Sequence, residues 1–226
     1  MATGTPLRMM SGWFLLEAHI KIHDTTGIVE VRYDGQNDVS FSGDTKPGAD
    51  TAIDLINWTP TNYIYYDDLA INDTVGAVDN SWCGDGHIIA LAPNANGDLS
   101  QLDGSDGNKT DNYLLVDEKP SNSDTDYVEG SVAGNTDLYN FESAGVTGTI
   151  LHVWAEARAK DTVAASGTLI LDIKTGGVEY NSPNLILLTT YGQMLGPLYN
   201  YNPGTSGTTW TDSDLTAIQA GPKVGS

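Results

Sequence analysis

Alternation of apolar and polar residues is the main pattern along this chain, and it predicts β-strands. The pattern is clearest over residues 13–23, 28–34 and 149–160. Because successive side chains of a strand point to opposite faces of a sheet, each of these segments can pack one face and leave the other in water. Turn residues at 24–27 predict a hairpin between the first two segments, and a loop at 161–166 predicts a second hairpin from 149–160 to a strand at 167–175.

Further strands are predicted at four shorter segments: 39–41, 87–93, 185–191 and 198–201. A longer, aromatic strand over 63–72 is the expected centre of the fold, and it carries the adjacent charges Asp67 and Asp68 at its middle. One of these two carboxylates must face the packed side or lie at a bulge, so it needs backbone N–H groups, a cation or an arginine as partner. Residues 94–112 read as a long polar loop.

A short helix is predicted near the C-terminus. Thr211 is the expected N-cap, Asp214 completes a capping box, and Gly221 ends the helix at C′. Trp210 precedes the cap and would cover the narrow apolar face of the helix. With about ten strands and this helix, the sequence predicts an all-β fold, an antiparallel two-sheet sandwich of jelly-roll type. It predicts a single domain over 1–226, with a long loop-rich insertion at about 94–148.

The charge balance narrows the classes of partner. Thirty acidic and ten basic residues give a formal net charge of −20. Such a surface repels nucleic-acid phosphates and anionic membranes, so neither is an expected partner. It suits cation binding or docking onto a positively charged protein, and it also serves simply to keep a crowded protein from aggregating. One cysteine excludes an intramolecular disulfide and a zinc–cysteine cluster. Neither a signal peptide nor an apolar span of membrane length is recognisable, so the product is expected to stay where it is made or to be assembled into something.

Two histidine motifs have weak claims to chemistry. His19 and His23 have metal-binding spacing on a helix, but on a strand they lie about 13 Å apart, so the solvated-face interpretation is favoured. Cys83 and His87 place a thiol near an imidazole without an evident third group or oxyanion hole, so a packed thiol is favoured over a nucleophile.

Two groups of carboxylates are also candidates for chemistry, one for glycoside hydrolysis and one for calcium binding. Asp124, Asp126 and Glu129 approach the acidic spacing of sandwich-fold glycosidases, although Asp126 and Glu129 would face opposite sides of an unbulged strand. Calcium could bind at 67–73 or 103–108, although neither segment carries the twelve-residue EF-hand pattern. Bonding of Asp67, Asp68 and Asp73 to nearby backbone N–H groups is the favoured alternative. We therefore expect no catalytic residue, no metal ligand and no cofactor.

Several motifs together resemble a family of bacteriophage and prophage structural proteins. They occur in order over most of the chain: Trp13-Phe-Leu-Leu-Glu17, Gly27-Ile-Val-Glu-Val-Arg-Tyr-Asp-Gly35, Tyr66-Asp-Asp-Leu69, Asn80–Asp85, Ala92-Pro-Asn-Ala-Asn-Gly-Asp98, Val116-Asp-Glu118, Trp210-Thr and Gln219-Ala-Gly. The resemblance implies a laminin-G-like, concanavalin-type sandwich and a virion component assembled in the host cytoplasm. It carries over no catalytic residue.

The resemblance has one departure. Members of the family carry a longer portion before the strand that begins at Trp13, whereas this chain begins close to it. An open sheet edge is the expected consequence, and an open edge is a pairing site. The expected partners are therefore further copies of the chain or another virion protein.

The leading expectation is a non-enzymatic virion structural protein: a capsid decoration, a head-fibre protein or a tail-associated protein. The alternative is a carbohydrate-binding module for host recognition, and a sandwich-fold glycosidase is the third reading. Glycan platforms would come from five aromatic residues: Trp58, Tyr63, Tyr65, Tyr66 and Trp82.

Overall fold

The chain folds into two compact units, Met1–Ile88 and Ile89–Ser226. The computed structural model describes residues 13–46, 48–49, 52–53, 55–56, 66–75, 80–122, 124–163 and 167–226. Over these residues the protein is an all-β fold of antiparallel sheets with one α-helix, which confirms the predicted class. None of the helices described is both long and apolar enough to cross a membrane.

The first unit contains a three-stranded antiparallel sheet. Its strands are β1 (Leu16–Lys21), β2 (Gly27–Tyr33) and β3 (Gln36–Gly43), in the order β1-β2-β3. The predicted hairpin is therefore confirmed. Asp34 and Gly35 both have positive φ, 46° and 74°, as a two-residue hairpin turn between β2 and β3 requires. β3 is longer than predicted and carries one extra residue, Asp38, where its register against β2 shifts.

The predicted central strand at 63–72 is wrong over its described part, because Tyr66–Ile71 is irregular and Asp68 has a left-handed φ of 51°. Tyr63 and Tyr65 lie outside the described residues. The predicted strand at 87–93 is also wrong over most of its length, because regular pairing begins at Pro93. Asp68 accounts for part of both errors, since its side chain accepts the Ile88 N–H at 2.9 Å and ties the two segments together without a ladder.

The second unit holds the remaining strands and the helix. The strands are β4 (Pro93–Ser100), β5 (Asp103–Gly104), β6 (Val128–Glu129), β7 (Asp137–Phe141), β8 (Glu156–Ala159), β9 (Thr168–Thr175), β10 (Val178–Asn181), β11 (Leu185–Ile186), β12 (Gly192–Leu195) and β13 (Gln219–Val224). Short 3₁₀ turns occur at Asn112–Leu115 and Pro203–Thr205. The main sheet has the order β10-β9-β13-β7-β4, with β11 pairing on β9, while β8 pairs with β12 and β5 with β6.

Two sequence expectations fail in this unit. The loop predicted at 94–112 begins with the strand β4, which pairs with β7 in the main sheet. The predicted hairpin from 149–160 to 167–175 is absent, because β8 pairs with β12 while β9 pairs with β10, β11 and β13. The tight turn at Gly176 and Gly177, both with positive φ, makes β10 the adjacent partner of β9.

The helix α1 (Asp212–Ala217) begins as predicted and ends early. Thr211 and Asp214 form the capping box, with the Asp214 N–H 3.2 Å from the Thr211 hydroxyl. The predicted end at Gly221 is wrong, because Ile218 is already extended and β13 starts one residue later. Gly221 instead lies in the sheet interior, where a Cβ would come 2.1 Å from the Asp137 carbonyl oxygen.

The core of the second unit lies between the main sheet and α1. Its buried members share one apolar cluster: Ile173, Trp210, Leu215, Ile218 and Ala220. Trp210 covers the apolar face of the helix as predicted, and its indole N–H donates to the Tyr199 carbonyl at 2.8 Å. This packing of antiparallel sheets is consistent with an all-β sandwich. The jelly-roll connection and the single domain over 1–226 stay predictions.

Candidate functional site

The two metal-spaced histidines have separate partners. The His19 ring lies on β1 with Nδ1 3.4 Å from Glu30 Oε2. His23 follows β1, and its Nδ1 accepts the backbone N–H groups of Thr25 and Thr26 at 3.1 Å each, so this ring caps the turn. The structure does not bring the two rings to one site.

His87 is turned toward a carboxylate. Its Nδ1 lies 3.1 Å from Asp68 Oδ2, and this hydrogen bond and charge raise the pKa of His87. The pKa of Asp68 is lowered by the Ile88 N–H first and by His87 second. His87 and Asp68 are therefore an exposed ion pair whose imidazole favours the charged form, whereas a base that activates Cys83 would have to be neutral.

The predicted backbone bonding of the acidic segment is confirmed. Asp67 Oδ1 accepts the Asp68 N–H, and Asp73 Oδ1 accepts the Val75 N–H, each at 2.9 Å. Over the described residues, no group of three or more His, Cys, Asp or Glu side chains is arranged to hold a metal ion.

The acidic segment that resembles a glycosidase motif is not a single strand. Asp124 and Asp126 precede β6, whereas Glu129 lies in it. Asp124 is bound by the Lys160 ammonium and accepts the Tyr191 hydroxyl at 3.0 Å, and these bonds hold the pKa of Asp124 below its ordinary value. A general acid needs the opposite shift.

The aromatic candidates offer little free platform. Arg32 lies over the Trp82 ring at 3.8 Å, and His19 meets the same ring edge-on at 5.7 Å. Tyr66 is 53% exposed. Trp58, Tyr63 and Tyr65 lie outside the described residues.

The first unit exposes apolar side chains on its edge strand β1. The register places one set of apolar residues on one face, which we call the β1–β3 face: Leu16, Ala18, Ile20, Val29, Val31, Tyr33, Val39 and Phe41. Leu16 and Ile20 are 48% and 49% exposed, while Glu17 and His19, on the opposite side of β1, are half-buried. Trp82 and the Gly84 N–H, which donates to Glu17 at 2.8 Å, cover that opposite, polar side. The alternation is as predicted. On β1 the apolar side is the more exposed one, whereas on β3 Val39 and Phe41 are half-buried and the polar residues Ser40 and Ser42 are exposed.

In the second unit, the main sheet turns a polar face away from its core. As the sequence predicts for β9, Leu169, Leu171 and Ile173 share the core side, so Asp172 and Lys174 lie on the other. Lys174 Nζ contacts Asp98 Oδ2 at 2.5 Å, which ties β9 to β4 across the sheet. Sequence reasoning did not identify this face as a site.

Lys223 lies at the centre of an oxygen cluster on that polar face. Its ammonium is 3.3 Å from Asn181 Oδ1, 3.6 Å from Glu179 Oε2 and 3.9 Å from Asp172 Oδ2. Asp172 is fully buried, and neither of its oxygens has a hydrogen-bond partner of normal geometry. Burial first, and the negative charge of Glu179 second, raise the pKa of Asp172 to about 6. The cluster can therefore take up a proton just below neutral pH.

A second buried carboxylate anchors the loop after β4. Asp137 Oδ1 accepts the N–H groups of Gln101 at 2.6 Å and Leu102 at 2.8 Å. Its Oδ2 accepts the Asn112 amide at 2.6 Å and the Tyr139 hydroxyl at 2.9 Å. Four donors saturate this carboxylate, so Asp137 is a structural anchor with no acceptor left for a substrate.

These two carboxylates were missed because their surroundings are built by distant strands. A signal existed for Asp172, a lone charge in the apolar run Leu169–Ile173. For Asp137 there was none, since its donors come from residues 25–36 positions away and from its own strand.

Comparison of the chain with protein-family models, with curated protein sequences and with solved structures gave no significant match.

Proposed function

We propose that this chain is a non-enzymatic structural protein of a bacteriophage or prophage particle. It would bind other virion proteins as a capsid decoration, as a head-fibre protein or as a tail-associated protein. The observation that carries the proposal is the apolar side of β1, where Leu16 and Ile20 keep about half of their surface in water while Trp82 and Gly84 contact the polar side of the strand.

An apolar sheet face in water favours association. Burying a Leu or Ile side chain contributes roughly 1.5–3 kcal/mol relative to leaving it exposed. Leu16 and Ile20 still hold about half of their surface in water, and Leu16 pairs with Tyr33, on which Phe14 is stacked at 4.4 Å. A contiguous apolar patch of this kind is typical of a protein–protein interface.

The charge of the chain favours a particular kind of virion partner. The chain has a net charge of −20, so charge repulsion opposes its binding to another acidic surface. A basic shell or tail surface would attract it instead. The family resemblance of the sequence points to the same class of protein.

Imaging of purified particles at subunit resolution tests the proposal. A symmetric lattice over the head would establish a decoration or fibre protein, and a few copies at the tail would establish a tail-associated one. Absence of the protein from every particle would overturn the proposal.

A matched pair of variants tests the β1–β3 face. Ile20→Asp places a charge on this face and should reduce incorporation into particles at least tenfold. Ile186→Asp is the control, because Ile186 is 70% exposed on β11 of the second unit. Equal incorporation of both variants would show that the face does not bind the particle.

Carbohydrate binding is the alternative outcome. Tyr66 is an exposed aromatic residue that a glycan could contact. A glycan-binding module would change its tryptophan fluorescence on addition of sugar, and a glycosidase would lose activity on Asp126→Asn. A virion structural protein of the kind proposed should do neither.

A further inference from the structure

We propose that two copies of this chain pair through β1, edge to edge and antiparallel, with Glu17 of each copy opposite Lys21 of the other. The pairing joins two three-stranded sheets into one and makes their exposed apolar faces continuous. It goes beyond the proposed function, because the second copy pairs with the edge of β1, whereas the particle would bind the apolar side.

β1 is an edge strand of the three-stranded sheet. In the described part of the chain, β1 pairs with β2 alone. The Asp34 N–H donates to the Leu15 carbonyl at 2.9 Å, which sets the alternation: backbone groups of Leu15, Glu17 and His19 point toward β2. The backbone groups of Leu16, Ala18 and Ile20 therefore point outward and are available to a second strand.

The other edge of the sheet is protected, and β1 is not. β3 carries the extra residue Asp38 at its register shift, and a bulge at an edge discourages pairing. β1 has neither a bulge nor a proline over its six residues. Of the two edges, β1 is the one that can accept another strand.

Charge selects a second copy as the occupant. The chain as a whole is strongly acidic, but β1 carries one negative residue, Glu17, and one positive residue, Lys21. Two β1 strands can therefore meet without net repulsion. An antiparallel pairing centred on His19 places each Glu17 opposite a Lys21, which makes the edge complementary to itself.

The hydrogen-bond pattern agrees with this register. Centring on His19 sets Ala18 opposite Ile20 of the second copy, and both residues have outward backbone groups that can exchange N–H···O=C bonds. Glu17 and Lys21 then fall at non-hydrogen-bonded positions, where opposite side chains are closest. Among the described residues, neither side chain forms an ion pair: Glu17 accepts the Gly84 N–H, and Lys21 Nζ lies 3.3 Å from the Thr26 hydroxyl.

A charge exchange between two variants tests the pairing and its register. Glu17→Lys puts two positive charges opposite each other, and Lys21→Glu puts two negative charges opposite each other. Each variant alone should dimerise at least tenfold more weakly than the wild type in sedimentation equilibrium. Mixed together, the two variants restore both opposite-charge pairs, so a heterodimer of wild-type affinity is expected.

Two further variants control for trivial effects. Lys119→Glu makes the same change in net charge as Lys21→Glu, at an exposed residue of the second unit, and should leave dimerisation unchanged. Ala18→Pro removes an outward N–H, which an edge strand tolerates, so the monomer should stay folded while the dimer is lost. Circular dichroism of each variant checks the fold.

The outcomes separate this proposal from the proposed function. A wild-type protein that is monomeric in solution, or a mixture that fails to restore the dimer, would overturn the pairing even if the protein is found on particles. A dimer with the predicted charge dependence that never appears on a particle would uphold the pairing and overturn the virion role.

Discussion

The same alternating pattern gives fully buried apolar residues in the second unit and half-exposed ones on β1 of the first unit. In the second unit, Ile173 is 1% exposed within a core closed by Trp210 and Leu215. In the first unit, Ile20 occupies an equally regular position on β1 and is 49% exposed. In the described residues, every buried apolar side chain belongs to the second unit.

The contrast shows that an alternating strand pattern does not by itself produce a buried core. Alternation gives a strand an apolar side, and another layer must cover that side before it stabilises the fold. In the second unit, α1 and the segment around Tyr199 supply that layer. In the first unit, Trp82 packs on the polar side of β1 and β2, and the apolar side chains of Leu16 and Ile20 on β1 stay about half in water.

The largest expected effect compares two isoleucines. Ile173→Ala should lower the free energy of unfolding by roughly 2–5 kcal/mol, because it opens a cavity in a closed core. Ile20→Ala should cost less than about 1 kcal/mol in the monomer, since the side chain is already half in water. Hydrogen exchange of the peptides that contain β9 and β1, read separately, measures each effect in its own unit.

Equal losses in the two isoleucine variants would contradict the comparison. A large cost at Ile20 would mean that the β1–β3 face is packed in the isolated protein, and it would remove the observation on which the proposed function depends.

The next effect concerns the buried carboxylate that anchors the loop after β4. Asp137→Asn keeps the shape but turns an amide toward the Asn112 amide and the Tyr139 hydroxyl, which both donate to Asp137. We expect a loss of roughly 2–4 kcal/mol in chemical denaturation. Asp124→Asn is the matched control and should cost much less, because the Asp124 carboxylate is exposed and its ion pair is screened. Similar values for the two variants would contradict the structural role of Asp137.

The smallest effect is the pH dependence that Asp172 imparts. The folded protein holds this proton up to a pH of about 6, whereas the unfolded chain releases it near 3.8. The stabilising contribution is therefore greatest below pH 3.8 and is lost as the pH rises through 6. Between pH 5 and 7.5 the free energy of unfolding should fall by about 1–1.5 kcal/mol from this group alone.

Asp172→Asn should remove that part of the pH dependence. Asp111→Asn should retain that pH dependence. Asp111 is exposed, and its backbone has a left-handed φ of 56°, which asparagine also adopts. An identical slope in the wild type and in Asp172→Asn would show that Asp172 does not titrate in this range.

Local signals in the sequence were sufficient where neighbours in the chain are also neighbours in space. The hairpin from β1 to β2 and the capping box at Thr211 both close within a few residues, and both were predicted. The end of the helix was not, because β13 is held by pairing with β9 and β7, which lie far away in the sequence. The pairing of β8 failed for the same reason.

The sequence by itself determined the all-β class, the first hairpin and the strong acidity, because turn chemistry, alternation and charge are properties of short segments. The tertiary structure alone decided which side of the first sheet is covered and which carboxylates are buried. Those outcomes depend on which distant segment packs against a face: Trp82 against the polar side of β1, and residues 101–112 around Asp137. The alternation within a strand shows that its two sides differ, but it does not show which side another segment will cover.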